Sequence, residues 1–206
     1  PPAQVRHLHS LLKRIETLEA DRQRELNRLE KADVEQAPAP VRRSLQAMID
    51  TLEAEIERLR RQLDDHLDAH PELKQQRALL ESIPGVGPKL SAWFLALFAT
   101  KRFRSAKQAA AFLGLIPVEY DSGTSVHRRP RLSKAGDGRW RARLYMPALV
   151  AIRWNDAIRA QFTRLTAAGK SKMSAVGAAM RKLVQIAFGV FNSRTPFQAE
   201  RAHGRA

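Results

Sequence analysis

The stretch of this 206-residue chain best suited to chemistry is a run of hydroxyls followed by cations. It reads Ser122-Gly123-Thr124-Ser125-Val126-His127-Arg128-Arg129-Pro130-Arg131-Leu132-Ser133-Lys134. Arginine carries a planar fork of donors that matches phosphate oxygens, so Arg128, Arg129 and Arg131, with Lys134, suit a phosphodiester backbone. A serine hydroxyl held beside such a backbone could attack phosphorus. The products would be a covalent phosphoserine link and a free 3′ hydroxyl. Guanidinium groups would stabilise the charge on the transferring phosphoryl group. Ser122, Ser125 and Ser133 all fit this description. No Ser–His–Asp relay is spelled out, and His127 is a candidate base without support from the spacing. Taken alone, a Ser-Gly step is an ordinary turn.

A second constellation is Leu79-Leu80-Glu81-Ser82-Ile83-Pro84-Gly85-Val86-Gly87-Pro88-Lys89-Leu90-Ser91-Ala92. Gly85 and Gly87 flank one small apolar residue between two helical stretches, and glycine accepts the backbone angles of a tight turn. Pro88 suits the first position of the next helix, where its missing N–H costs nothing. Such a turn presents backbone N–H groups at a helix N-terminus, where the dipole favours a phosphate and Lys89 adds a point charge. The pattern resembles the helix–hairpin–helix element, which grips nucleic-acid backbone without reading bases. The plainer reading is an αα turn that packs and binds nothing. Arg139, Arg141 and Arg143 at the head of a later helix, and Lys170 and Lys172 beside a Gly-containing turn, join the candidate nucleic-acid contacts.

The charge distribution favours a polyanionic partner. Residues 1–80 hold 14 Lys and Arg against 15 Asp and Glu, while residues 81–206 hold 22 against 6. The net charge of +15 therefore resides entirely in the second part. A field of that sign recruits nucleic acid before anything else, with a generally basic surface or anionic lipid as the alternatives. Apolar stretches such as Ser91–Ala99 are too short to span a bilayer, so no membrane partner is expected. The absence of cysteine and of a signal-peptide pattern suits a reducing cytoplasm. The chain opens Pro1-Pro2 without an initiator methionine and reads as a piece of a longer protein.

Positioning these residues requires helices. Leu8, Leu11, Ile15, Leu18 and Leu29 recur with charges between them, and Ala37-Pro38-Ala39-Pro40 breaks the pattern. Leu45, Ile49, Leu52, Ile56, Leu59 and Leu63 then run at heptad spacing, and His66 and His70 extend it. Neither stripe can be buried alone, so the two helices pair with each other or with a second copy. The domain expectation is a coiled-coil arm over 1–71, a compact domain over 72–197, and a disordered tail over 198–206. Within the compact domain, helices are expected at 72–82, 88–99, 105–113, 138–153, 155–167 and 172–192. An irregular basic segment, 114–137, lies among them, with Leu115–Tyr120 its one extended stretch. The fold class is all-α in the main. The last helix puts Val176, Met180, Leu183, Val184, Ala187 and Phe191 on one core face. Arg181 and Lys182 beside it are either phosphate contacts or solvated charge.

Residues 79–197 resemble the C-terminal transposase domain of the insertion sequence 110 family, the bridge-RNA-guided recombinases. The resemblance runs through Ile83-Pro84-Gly85-Val86-Gly87, Phe112-Leu113-Gly114-Leu115-Ile116-Pro117, Ser122-Gly123-Thr124-Ser125-Val126, Leu132-Ser133-Lys134-Ala135-Gly136, Arg141-Ala142-Arg143-Leu144-Tyr145-Met146 and Met180-Arg181-Lys182-Leu183. The arm is similar to that family's linker. The resemblance implies a DNA recombinase in which Ser122 is the nucleophile, with Ser125 and Ser133 as runners-up. It implies DNA and a structured guide RNA as partners, a homodimer through the arm, and a tetramer in the active complex. It also implies a separate RuvC-like domain whose acidic residues hold magnesium. The acidic residues after the arm here are Glu81, Glu119, Asp121, Asp137, Asp156 and Glu200. They show no metal-ligand pattern, so no metal or cofactor is expected in this chain. Asp137 stands where the family more often has asparagine. Without the acidic domain the chain should bind nucleic acid but not recombine it. The alternative is a non-catalytic binding and dimerisation module.

Overall fold

The computed structural model describes residues 1–122, 126–132 and 136–199, and of residues 118–122 and 126–131 the backbone alone. The chain forms two compact units, Pro1–Lys74 and Gln75–Ala206.

The first unit is a helical hairpin. Helix α1 (Ala3–Val34) ends in a turn with Gln36 in the left-handed region (φ 51°) and the Ala37 amide bonded to the Ala32 carbonyl at 2.8 Å. Helix α2 (Ala39–Asp68) returns antiparallel, as three pairs along its length demonstrate. Asp33 meets Arg42 at 3.7 Å, Glu53 meets Arg22 at 3.1 Å, and Glu19 meets Arg60 at 2.9 Å. The buried seam is Val5, Leu8, Leu12, Ile15 and Leu18 on α1 against Ile49, Ile56, Leu59, Leu63 and Leu67 on α2. Each fully buried leucine or isoleucine contributes roughly 2 kcal/mol of transfer free energy. Leu12 rather than the expected Leu11 is the buried residue, and Val5 extends the stripe one turn towards the N-terminus.

The second unit is mainly α-helical, as expected. Helix α3 (Pro71–Glu81) leads into it, followed by α4 (Pro88–Thr100), α5 (Ala106–Phe112), α6 (Gly138–Trp154), α7 (Asp156–Ala167) and α8 (Lys172–Ser193). Each lies within about two residues of its sequence-based bounds. Leu90 through Phe98 are all buried, which makes α4 a central helix that is apolar all round. Phe98 gathers Phe94, Phe188 and Phe191 at ring-centroid distances of 5.4, 5.6 and 5.4 Å. Helix α8 packs against α4, α5, α6 and α7, and its buried small residues Ala175, Ala179 and Ala187 suit close packing. Among the described residues α8 alone is long and apolar enough to cross a membrane, yet 56% of that stretch is buried inside the protein, as befits a core helix.

Within the segment expected to be irregular, the described residues form two strands. Strand β1 (Pro117–Ser122) pairs antiparallel with β2 (Val126–Leu132), from Pro117 opposite Leu132 to Ser122 opposite Val126. The register slips between Val118 and Tyr120, giving β2 one extra residue in the stretch that contains Pro130. Proline has no N–H for the ladder, and a bulge is where a strand tolerates it. Gly114 and Gly136 close the base of this hairpin. A Cβ on Gly136, whose φ is +123°, would stand 2.8 Å from the Gly114 amide nitrogen, so the crossing excludes a side chain. The expected tail, apart from residues 198 and 199, lies outside the described residues. Just before it, the Phe197 amide is bonded to the Ser82 hydroxyl at 2.8 Å.

Candidate nucleic-acid interface

The turn between α3 and α4 is held from inside. Ile83 and Val86 are buried, and the Val86 amide bonds the Ile83 carbonyl at 2.9 Å. Gly85 has φ +100°, and a Cβ there would stand 2.7 Å from the Ala151 Cβ and 2.9 Å from the Pro147 carbonyl oxygen on α6. Packing therefore explains Gly85. Gly87 differs: it caps α4 in ordinary extended geometry (φ −91°, ψ 179°), and nothing lies within 4 Å of a Cβ built on it. Gly87, Pro88 and Lys89 are all exposed, so the positive end of the α4 dipole faces open space. Behind the turn, Glu81 accepts from the buried Ser91 hydroxyl and pairs with Arg77, each at 2.8 Å.

An open cleft of about 510 Å³ adjoins the turn, between Gly87, Lys89, Leu90 and Trp93 on one side and Ala142, Arg143 and Pro147 on the other. Arg143 was expected to contact phosphate. Its guanidinium carbon lies 3.8 Å from the centre of the Trp93 ring and 5.0 Å from that of Trp140. A cation stacked on indole holds a fixed plane, one face of which is taken by the ring. Arg139 is also engaged, by Asp137 at 3.2 Å. Asp137 caps α6 by accepting the Arg139 amide at 2.9 Å. Burial pushes the Asp137 carboxyl up. The hydrogen bonds from the Arg139 backbone and side chain, and the charges of Arg139 and Arg143, outweigh that and hold it below the usual carboxylate range. Aspartate thus serves as an ionised cap in place of asparagine. Arg141 is half-buried on the same helix.

Lys170 and Lys172 are exposed at the N-terminus of α8, beside the cap residue Ser171. Cations there oppose the helix dipole, at a cost of a few tenths of a kcal/mol that a bound anion would reverse.

The remaining candidates lie on the β-hairpin. Ser122 ends β1, and its partner Val126 begins β2, so the backbone of Ser122 is at the hairpin tip. Arg128 and Arg131 lie in register on β2 opposite Tyr120 and Val118, with Arg129 between them. Ser125, Ser133 and Lys134 lie outside the described residues. Among the described residues no group of three or more His, Asp or Glu is arranged to hold a metal ion.

Lys107 and Arg164 were not singled out by sequence. With Arg181 and Lys182 they line a second open cleft, of about 610 Å³. The four come from three helices, each contributing one or two scattered cations, so no local motif announces the cluster.

Residues 77–163 match the family model described as transposase, IS116/IS110/IS902 family. Pilin gene-inverting proteins of Moraxella bovis and Moraxella lacunata are each 33% identical over 144 residues, covering 69% of this chain and 45% of theirs. A probable family 20 transposase of Pseudomonas aeruginosa is 35% identical over 121 residues, covering 56% of this chain and 34% of its own. The chain thus spans less than half the length of the curated relatives it matches. The matched region runs from the end of α3 through most of α7 and includes the glycine turn and the whole β-hairpin.

Proposed function

We propose, from the premise that this chain belongs to the IS116/IS110/IS902 transposase family, that it is the DNA-binding part of a DNA recombinase and supplies the serine nucleophile for strand cleavage and exchange. The observation that carries this reading is the register of the β-hairpin. Ser122 ends β1 at its tip, and the strand that follows carries Arg128, Arg129 and Arg131. In this mechanism the Ser122 hydroxyl attacks a DNA phosphorus and releases a 3′ hydroxyl, and the basic strand steadies the charge on the phosphoryl group. The α3–α4 turn acts as a helix–hairpin–helix grip on backbone phosphate, with Lys89 beside it. Magnesium, where the reaction uses it, would be held by carboxylates of a separate acidic domain. A structured guide RNA, paired to target and donor DNA, would carry sequence specificity.

The arm is read as the dimerisation element. Val41, Leu45, Met48 and Leu52 form a second stripe on α2 at steps of four, three and four, with Val41 47% and Met48 50% exposed. A stripe of that spacing suits a further helix. Light scattering of the 206-residue chain should report a dimer, and a strictly monomeric chain would remove this part of the reading.

The decisive experiment is Ser122→Ala in the full-length protein. Strand transfer should fall by roughly three orders of magnitude or more, with DNA affinity unchanged. Unchanged transfer would rule out this nucleophile and leave a binding module.

A further inference from the structure

The second basic cleft has a composition unlike the first. Lys107 enters it from α5, Arg164 from α7, and Arg181 and Lys182 from α8. Among the described residues no aspartate or glutamate lines it. None of these four side chains takes part in an ion pair or hydrogen bond among the described residues. Four like charges lining one cleft with no described carboxylate beside them repel one another, and an anion seated among them reverses that cost.

The shape narrows the choice of anion. Small residues, among them Ala157, Ala160 and Ala178, share the lining, which leaves room for a ligand backbone between α7 and α8. Gly177 sits under the hairpin: a Cβ there would stand 3.1 Å from Leu132 Cδ1 at the end of β2. Leu132 and its strand partner Pro117 form one wall. Metabolite sites are mostly apolar and enclose the greater part of their ligand. This cleft is an open trough with cations along it, which suits a chain that enters and leaves. Gln161, whose Oε1 is buried without a hydrogen-bond partner, offers an acceptor to a sugar hydroxyl or a base amino group.

We propose that this cleft seats the sugar-phosphate backbone of a single nucleic-acid strand at the root of the β-hairpin. The inference rests on the reading of the second unit as a nucleic-acid-acting domain and adds to it a site separate from the glycine turn and the hairpin tip. The wall formed by Pro117 and Leu132 is where both strands of the hairpin begin and end. A strand held there lies at the foot of the element that carries Ser122.

The test uses the 206-residue chain with a 20-nucleotide single-stranded DNA, the same sequence as RNA, and the corresponding duplex, titrated across a salt series. The Arg164→Gln, Arg181→Gln, Lys182→Gln triple variant should bind both single strands on the order of 10–100-fold more weakly. Its slope of log affinity against log salt should be shallower by about two. Duplex binding should change much less, and equal loss on duplex would overturn the single-strand assignment. The larger loss between DNA and RNA identifies which strand occupies the cleft. A Lys89→Gln, Arg128→Gln, Arg129→Gln variant is the control. If it loses binding while the cleft variant keeps the parent slope, the cleft proposal falls and the functional reading stands. If the parent chain binds none of the three probes, the functional reading itself falls. Because the chain has no cysteine, Gln185→Cys gives a unique attachment point in the cleft for a photoactivated aryl azide. It should crosslink to the single strands. A label at Lys89→Cys that crosslinks while the one at 185 does not would also overturn the proposal.

Discussion

Charge is handled differently in the two units of the molecule. Along the α1–α2 hairpin, cations meet carboxylates: Arg22 meets Glu53 and Arg60 meets Glu19 across the helices, while Arg58 meets Glu55 and Arg28 meets Glu25 within a turn. In the second unit Arg77 and Arg159 have acidic partners, but Lys107, Arg164, Arg181 and Lys182 line a cleft with none among the described residues. Exposed pairs are worth little individually, so the arm's pattern serves register and solubility more than stability. Cations gathered without neighbouring carboxylates repel one another, a cost that a bound anion would offset. Burial differs as well. The arm hides one narrow stripe per helix, whereas α4 is buried on every side.

The sharpest way to test this contrast is to cut into each core. Phe94→Ala removes a fully buried ring and should cost about 3–5 kcal/mol in the second unit, whereas Leu12→Ala in the arm should cost about 2–3. Urea unfolding followed by circular dichroism checks both, and equal losses would break the distinction between a wide core and a narrow seam. Gly85→Ala should cost roughly 2–4 kcal/mol, since it combines a left-handed φ with a collision against the α6 backbone. Gly87→Ala has free space and should cost under about 1 kcal/mol. If the two are equal, the turn is not anchored on α6 as described.

A smaller effect comes with pH and belongs to the arm. His66 donates through Nε2 to the Gln4 carbonyl at 2.8 Å, with the rings of His7 and His70 at 4.6 and 4.5 Å. Burial lowers its pKa, the bond to Gln4 raises it, and the neighbouring His7 and His70 lower it further, leaving it below the usual imidazole value. A depressed folded-state pKa means that the stabilisation is complete above the unfolded value, about 6.5, and is lost as pH falls through the folded one. The hairpin should therefore unfold at a lower temperature at pH 5.5 than at 7.5, and His66→Gln should flatten that dependence. The smallest effect is electrostatic. Glu19→Gln should cost roughly 0.2–1 kcal/mol, fading with added salt. Lys172→Gln should instead raise stability by a few tenths while weakening nucleic-acid binding. A loss of stability from Lys172→Gln would erase the contrast between paired and unpaired charge.

Helix positions were legible from local pattern. The heptad stripe of α2, the proline break before it, Pro88 at the start of α4, and the apolar face of α8 each depend on residues a few positions apart. That range is where helix periodicity and capping operate. The second β-strand was not legible, because Pro130 argues against a strand and the pairing partner lies on the far side of residues 123–125. Nor could composition separate Gly85, fixed by its approach to Ala151, from Gly87, which faces open space. Arg143 reads like its basic neighbours until Trp93, fifty positions earlier, is found beneath it. The cleft of Lys107, Arg164, Arg181 and Lys182 exists only because three helices converge. Sequence by itself determined the helices, the lopsided charge and the motif glycines, since each is a property of near neighbours. The tertiary structure alone decided which cations are engaged and which remain for a partner, because that depends on residues the fold brings together from distant parts of the chain.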